Sequence, residues 1–307
     1  MQKINDMAIS RVKIKDFFVF KGEFTTEFCS GINVFTGGNG TGKTTLLRAI
    51  AIQPILGFPY VNAHSTSFKN TPNLRKTGNV NVEPFQDGKY DKNKHIFIPV
   101  NDMLCHPEIY PMAQKYQMNY NNSEIDIIEN AILPITNEVT QNASKILDII
   151  KTIIGGEVVY EKDTFYIIKS DGTKIPFVLE ASGYRKFGLL WKLLRNGLLE
   201  SESVLFWDEP ENSLNPELIP VLVNILLELS RNGVQIFIAT HNEILASYFY
   251  VNQQQGDNVK FYSLYKNEQG QIKADLNDRF DLLEQNKLTE EPVKLYKKQI
   301  EKGLGNG

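Results

Sequence analysis

The chain has 307 residues, 42% of them hydrophobic, and its formal net charge is −3 at neutral pH. This composition supports a sizeable buried core, and it excludes an overall basic field of the kind that attracts nucleic acids. Two cysteines are too few for a disulfide framework, and the lack of a signal peptide or a long apolar run predicts a cytoplasmic protein with no membrane partner.

Strands are predicted before the first glycine-rich loop. Residues 8–14 alternate apolar and polar side chains, as a half-buried strand does. The aromatic-rich residues 17–28 predict further strand structure, with a turn at Gly22. Residues 31–36 are mostly apolar and predict a buried strand that leads into the loop, and residues 45–52 predict a helix after it.

The loop between that strand and that helix has the sequence Gly-Gly-Asn-Gly-Thr-Gly-Lys-Thr at residues 37–44. It matches the phosphate-binding P-loop pattern G-x-x-x-x-G-K-S/T in the strand–loop–helix setting that the pattern requires. Glycines let successive backbone N–H groups wrap a polyanion, Lys43 can reach the β- and γ-phosphates, and the Thr44 hydroxyl can bind Mg²⁺. The predicted phosphate ligands are Gly37, Asn39, Gly40, Thr41, Gly42, Lys43, Thr44 and Thr45.

The middle of the chain, residues 59–175, differs in composition and is predicted to be an inserted lobe. Residues 58–95 mix lysines with aromatic residues. This mixture predicts either a solvated loop, which is the interpretation we favour, or a local surface for nucleic acid. The other predicted elements of the lobe are a strand at 95–100, helices over 107–152 and strands near 158–160 and 164–169.

Residues 203–210 form a predicted apolar strand that ends in the acids Asp208 and Glu209. An aspartate at the carboxyl end of a strand beside a P-loop supplies a ligand for Mg²⁺ or its waters, as in a Walker B motif. The next residue, Glu209, points elsewhere and can polarise the water that attacks the γ-phosphate. Without a P-loop the two acids would indicate only a surface turn, but with it they predict a catalytic site.

A further strand at 234–240 ends at His241. It follows a helix whose predicted start is Asn215-Pro216-Glu217, with asparagine as cap and proline at the first helical position. Because the carboxyl ends of parallel strands face the ligand in such sheets, the His241 imidazole is predicted to reach the γ-phosphate. A buried core histidine is the alternative. The tail predicts one or two strands and a charged helix near 291–302.

The order of these motifs along the chain resembles that of the ABC-type ATPases. The order is the P-loop, Asp208-Glu209-Pro210, Asn215-Pro216-Glu217 and then Thr240-His241-Asn242. Within the ABC-type ATPases, the chain is more similar to the stand-alone bacterial AAA-type, OLD-like and SMC-like group than to transporter subunits. The resemblance covers residues 8–58 and 176–265. It implies an α/β P-loop NTPase with an ABC-ATPase-like core of sheet and flanking helices at 1–58 and 176–265, an inserted, mainly helical lobe at 59–175 and a C-terminal extension at 266–307.

The resemblance also implies residues that act across two copies of the chain. Residues 181–186 lie where this superfamily has its signature Ser-Gly motif, although Tyr184 replaces the more usual glycine or glutamine. Ser182 and Gly183 of one copy would contact the γ-phosphate held by the other, which predicts a homodimer or a higher even-numbered oligomer around ATP and Mg²⁺. An ordinary helix cap is the alternative for Ser182. In place of the usual sensor glutamine, Asp102 is the expected metal ligand, and an ordinary exposed loop acid is the alternative.

The function implied by this resemblance is slow ATP hydrolysis that regulates or drives another molecule. The partner would be a separate protein effector, such as a nuclease or toxin, or DNA or RNA, as in bacterial phage-defence modules. Two alternatives are the nucleotide-binding subunit of an ABC transporter and a P-loop kinase. The missing sensor glutamine and the long middle insert argue against the transporter, and Asp208-Glu209-Pro210 together with His241 argues against the kinase.

Overall fold

The computed structural model describes residues 8–56, 79–84, 94–116, 122–136 and 139–303. The strands in these residues are β1 (Ile9–Phe17), β2 (Phe20–Glu27), β3 (Ile32–Gly37), β4 (Asn79–Pro84), β5 (His95–Ile98), β6 (Gly156–Glu161), β7 (Thr164–Lys169), β8 (Lys174–Pro176), β9 (Val204–Asp208), β10 (Gln235–Ala239), β11 (Val259–Lys266) and β12 (Ile272–Asn277). The helices are α1 (Lys43–Leu56), α2 (Ile109–Tyr116), α3 (Asn122–Ile132), α4 (Gln141–Ile154), α5 (Ser182–Arg195), α6 (Ile219–Arg231), α7 (Glu243–Asn252) and α8 (Lys287–Gly303).

A six-stranded sheet forms the centre of the molecule, with the strand order β12-β11-β3-β10-β9-β5. All neighbouring strands are parallel except β12, which pairs antiparallel with β11 at one edge. β9 and β10 are buried along their whole length, as strands covered on both faces are. Because parallel neighbours end at the same edge of a sheet, the residues that follow β3, β9 and β10 lie side by side.

Side chains alternate between the two faces of this sheet and build two hydrophobic clusters. On one face, Trp207 and Ile238 pack in a cluster with α3 to α7, β6 and β7. On the other face, the rings of Phe206 and Phe237 stack with their centroids 5.0 Å apart, in a cluster with α1 and the sheet β2-β1-β4. Of the described middle segment, α3, α4, β6 and β7 pack against the first face, β4 pairs with β1 on the second, and β5 is an edge strand of the central sheet. The boundaries of an inserted lobe stay a prediction.

Most of the predicted elements are present. The helices predicted over 107–152 are α2, α3 and α4, and the two strands predicted after them are β6 and β7. Asn215 caps a helix as predicted, because its Oδ1 accepts a hydrogen bond of 3.4 Å from the Glu217 N–H. The first turn after it is a 3₁₀ helix (Pro216–Leu218) that precedes α6. The surface predicted at 58–95 lies mostly outside the described residues.

The predicted turn at Gly22 is wrong. β1 and β2 are joined at residues 18–19, and Gly22 lies inside β2 with a φ of +70°. Its N–H donates a hydrogen bond of 2.8 Å to Oδ1 of Asp16, near the point where the register between β1 and β2 shifts. Asp16, near the end of β1, and Phe18, in the connection, have positive φ values of 50° and 51°. Gly22 therefore marks an irregularity within a strand, which is the other common role of glycine in a sheet.

The C-terminal part of the described chain contains β11, β12 and α8, in agreement with the predicted strands and charged helix. α8 is longer than predicted, since it begins at Lys287 and continues through Pro292. In the described ranges, no helix combines the length and the apolar composition that crossing a membrane requires.

Candidate functional site

Glycines shape the loop between β3 and α1. Gly37, Gly40 and Gly42 have φ values of 130°, 73° and 90°, which residues with a Cβ rarely adopt. A Cβ at Gly37 would lie 2.3 Å from the carbonyl oxygen of Leu264, and one at Gly42 would lie 2.9 Å from Cγ2 of Val19. The backbone therefore curls closely ahead of α1, whose free N–H groups at the N-terminus can bind an anion.

Thr41 and Lys43 hold this loop from within. The Thr41 hydroxyl donates to the carbonyl of Gly38 at 2.9 Å, while Asn39 is exposed at the tip of the loop. The Lys43 amine donates to the carbonyls of Gly37 at 2.8 Å and Gly38 at 3.1 Å. Burial lowers the pKa of Lys43 to about 8, against the opposing effect of three nearby carboxylates. A bound phosphate would offer this amine charged, stronger acceptors.

Thr44 lies beside Thr45 in the first turn of α1 and connects that helix to β9. Its hydroxyl donates to Oδ1 of Asp208 at 3.1 Å. Burial raises the pKa of the Asp208 carboxyl, and the hydrogen bond from Thr44 opposes this shift. Among the described residues, no group of three or more His, Cys, Asp and Glu side chains could hold a metal ion. Mg²⁺ needs few protein oxygens when phosphates and waters complete its shell, so Thr44 and Asp208 fit it together with a nucleotide.

Glu209 follows Asp208 in a left-handed backbone conformation, with a φ of 49°. Its N–H donates to the carbonyl of Ala239 at 2.8 Å, which joins the end of β9 to the end of β10. Its Oε1 lies 3.4 Å from Nε2 of His241, and the two side chains are 31% and 36% exposed. Burial, and then the charge of Lys43, lowers the pKa of His241 against the opposing charge of Glu209, which favours the neutral imidazole.

Ser182 and Gly183 begin α5 and pack on the loop that follows Glu209. The Ser182 hydroxyl donates to the carbonyl of Ser213 at 3.0 Å, and it does not cap its own helix. A Cβ at Gly183 would lie 3.2 Å from Cδ1 of Leu214, so α5 and this loop are in close contact. Within the described chain, no side-chain hydrogen bond joins Ser182 to the P-loop. The contact of Ser182 and Gly183 with a γ-phosphate stays a prediction that concerns a second copy.

Asp102 lies in the loop after β5, and its carboxylate forms an ion pair with α5. Its Oδ2 is 2.9 Å from Nη2 and 3.1 Å from Nε of Arg185. Nη1 of the same guanidinium donates to the carbonyl of Glu180 at 3.2 Å. A metal ion at Asp102 would compete with Arg185 for the carboxylate, and the metal-binding role of Asp102 stays a prediction.

The structure adds two charged residues that the sequence interpretation does not include. Oε1 of Glu211 accepts hydrogen bonds from the Thr240 hydroxyl at 2.6 Å and from the His241 N–H at 3.2 Å. Burial raises the pKa of Glu211, and the Thr240 hydrogen bond opposes this shift. Lys186 is 6% exposed, its amine lies 3.5 Å from the carbonyl oxygen of Glu209, and burial lowers its pKa. The sequence indicates these two residues only by their positions, because Glu211 lies close to Glu209 and Lys186 lies close to the start of α5.

Two protein-family models match the chain. The model described as an AAA domain matches residues 11–169, which is more than half of the chain. The model for the AAA domain of candidate AbiEii toxins, of type IV TA systems, matches residues 110–247. No curated protein matches the sequence.

Several solved structures are similar to this one over most of its length. The Smc head bound to the C-winged helix domain of ScpA has 12% identity and a TM-score of 0.53, covering 88% of this chain and 97% of that chain. The Smc head with an extended coiled coil, bound to the C-terminal domain of ScpA and derived from Pyrococcus furiosus, has 10% identity and a TM-score of 0.51, covering 95% and 99%. An ATP-binding cassette of an ABC transporter has 18% identity and a TM-score of 0.48, covering 94% and 98%. The two Smc heads confirm the predicted P-loop ATPase fold.

Proposed function

We propose that this chain, which belongs to the AAA domain family and shares the fold of the Smc heads, binds Mg·ATP and hydrolyses it. The meeting of three strand ends supports this proposal. β3 leads to Lys43, β9 leads to Asp208 and Glu209, and β10 leads to His241. The contacts of 3.1 Å between Thr44 and Asp208 and of 3.4 Å between Glu209 and His241 join these strand ends into one site.

In the proposed complex, the P-loop holds the ATP phosphates. The N–H groups of residues 37–45 surround the β-phosphate, and the positive end of α1 faces it. The Lys43 amine leaves the loop carbonyls and donates to the β- and γ-phosphates instead. The Thr44 hydroxyl and Asp208, the latter directly or through water, would hold Mg²⁺, which neutralises charge on the phosphates.

Glu209 and His241 are the proposed catalytic residues. Glu209 accepts a proton from a water molecule as the oxygen of that water bonds to the γ-phosphorus. The bond from the γ-phosphorus to the bridging oxygen breaks, and ADP leaves with the electron pair. The neutral His241 imidazole donates a hydrogen bond to a γ-phosphate oxygen, where negative charge is concentrated. Turnover is slow in this proposal, as suits a protein in which bound ATP regulates a partner.

The proposed active form is a homodimer, or a larger even-numbered assembly, that closes around ATP. The start of α5 is a helix N-terminus carrying the Ser182 hydroxyl, which is a suitable site for an anion. We propose that Ser182 and Gly183 of one copy contact the γ-phosphate on the other. Because Ser182 also contacts Ser213 of the loop after Glu209, closure of the dimer would reach the catalytic loop directly.

A separate protein effector is the proposed partner of the closed form. The similar Smc heads are bound to domains of ScpA, so a protein of this fold can bind a second protein. The match to the AAA domain of candidate AbiEii toxins supports a toxin-related effector, in a phage-defence or toxin–antitoxin setting. DNA or RNA is the alternative partner.

The test of the proposed function is phosphate release from ATP by the purified chain, with and without Mg²⁺. We expect slow release, below about 10 per second, that EDTA abolishes. Asp208→Asn keeps the size of the side chain but removes the charge beside Mg²⁺, and it should lower turnover about 100-fold. Asp148→Asn, which makes the same change at an exposed position outside the site, is the matched control. Phosphate release that persists unchanged in EDTA and in Asp208→Asn would contradict the proposal.

A further inference from the structure

We propose that Glu211 is a positioning residue for ATP hydrolysis, which holds His241 and, through His241, the Glu209 carboxylate. This inference rests on the proposed function of the site. It concerns a residue that does not touch the phosphates itself, and it assigns to the loop after β9 a part in placing the proposed general base.

Glu211 attaches the loop after β10 to the loop after β9. Oε1 of Glu211 accepts two hydrogen bonds, one of 2.6 Å from the Thr240 hydroxyl and one of 3.2 Å from the His241 N–H. The Thr240 oxygen in turn accepts a hydrogen bond of 2.9 Å from the Asn242 N–H, directly before α7. Thr240 is fully buried, so loss of Glu211 would leave its hydroxyl without the acceptor that Glu211 supplies. Glu211 therefore fixes the backbone that carries the imidazole.

A ring of contacts joins Glu211, His241 and Glu209. Nε2 of His241 lies 3.4 Å from Oε1 of Glu209, and the chain continues from Glu209 through Pro210 to Glu211. The ring thus runs from the Glu211 carboxylate to the His241 backbone, through the imidazole to the Glu209 side chain, and back along the loop. Glu209 has a φ of 49°, a conformation that non-glycine residues keep only when their surroundings hold them. Loss of Glu211 would release one side of this ring.

The second carboxyl oxygen of Glu211 takes no part in these contacts. Oε2 of Glu211 is buried and has no hydrogen-bond partner within the described residues. The contacts to Thr240 and His241 therefore need only Oε1, and a glutamine side chain retains an oxygen of the same reach. The effect of the hydrogen-bond acceptor can therefore be measured apart from the effect of the charge. Glu211→Gln keeps the acceptor oxygen and removes the charge, whereas Glu211→Ala removes both.

The experiment measures turnover and ATP affinity separately in Glu211→Ala and Glu211→Gln. Glu211→Ala should lower kcat by about 10- to 100-fold, as displaced catalytic groups do, while the Kd of a fluorescent ATP analogue changes less than about twofold. Glu211→Gln should restore kcat to within about threefold of the unmodified chain. Asn212→Ala, at the exposed next position of the same loop, is the matched control. Unchanged kcat in Glu211→Ala, or equal losses in Glu211→Ala and Glu211→Gln, would overturn the proposal.

A double substitution separates positioning from general damage to the fold. If Glu211 acts through His241, kcat of Glu211→Ala/His241→Ala should match that of His241→Ala alone, within about twofold. A double variant whose kcat falls by the product of the two single losses would overturn the proposal.

If Glu211→Ala fails to fold, Glu211→Asp replaces it, because its shorter side chain withdraws the acceptor from Thr240 and His241. An unmodified chain that releases no phosphate would instead count against the proposed function, and phosphate release with no effect of Glu211 would count against this inference alone.

Discussion

Replacing Glu209 by glutamine will leave ATP bound but lower its hydrolysis by about 10²–10⁴-fold, the usual contribution of a general base. Glutamine has nearly the same size as glutamate but cannot accept the proton of the attacking water. The P-loop, Lys43 and the pair Thr44–Asp208 are untouched, so ATP affinity should be preserved. Phosphate release under saturating Mg·ATP and the Kd of a fluorescent ATP analogue measure the two effects.

The control for this variant is Glu268→Gln, the same change at an exposed position outside the site. It should leave both turnover and affinity unchanged. Normal turnover in Glu209→Gln would show that another group accepts the proton. Since His241 lies 3.4 Å from Glu209 and its lowered pKa favours the neutral imidazole, it would then be the next candidate.

The second large effect is expected from Lys43→Ala, which should weaken ATP binding about 100-fold or more. Each charge-assisted hydrogen bond contributes roughly 1.5–3 kcal/mol, and two of them correspond to at least a hundredfold change in Kd. Lys43 is 5% exposed, so the loop encloses its side chain. Another lysine could reach the same position only if the loop rearranged. In the intact chain, the carbonyls of Gly37 and Gly38 accept hydrogen bonds from the Lys43 amine. Lys43→Ala removes this donor from both carbonyls.

Titration with the fluorescent ATP analogue measures this loss, and circular dichroism shows whether the variant is folded. Lys266→Ala, at an exposed position near the end of β11, is the matched control. A folded Lys43→Ala variant with unchanged affinity for ATP would mean that the nucleotide phosphates bind elsewhere.

The arrangement of the central site follows from patterns that are local in sequence. The P-loop spacing, the acids after an apolar strand and the histidine after the next one each identify a strand end. Because β3, β10 and β9 are parallel neighbours, those ends meet at one edge of the sheet. The proximity of Thr44 to Asp208, and of Glu209 to His241, could therefore be anticipated from the order of the motifs.

The other contacts depend on packing between loops that are distant in sequence. Glu211 and Thr240 are 29 positions apart, and Asp102 and Arg185 are 83 positions apart. No periodicity or spacing links such pairs, so the sequence could place an acid at 102 but could not show its ion pair. The burial of Lys186 has the same origin, because it depends on how α5 packs against the loop after β9.

The solution mass of Glu209→Gln, measured by light scattering after gel filtration with and without Mg·ATP, tests the central claim that ATP joins two copies of this chain. We expect the mass to shift to that of a dimer, or of a larger even-numbered assembly, only when Mg·ATP is present. Ser182→Arg in the same background should prevent the shift while ATP still binds, because the larger side chain blocks the contact across the two copies. A mass that does not change when the Glu209→Gln chain is saturated with Mg·ATP would contradict the claim.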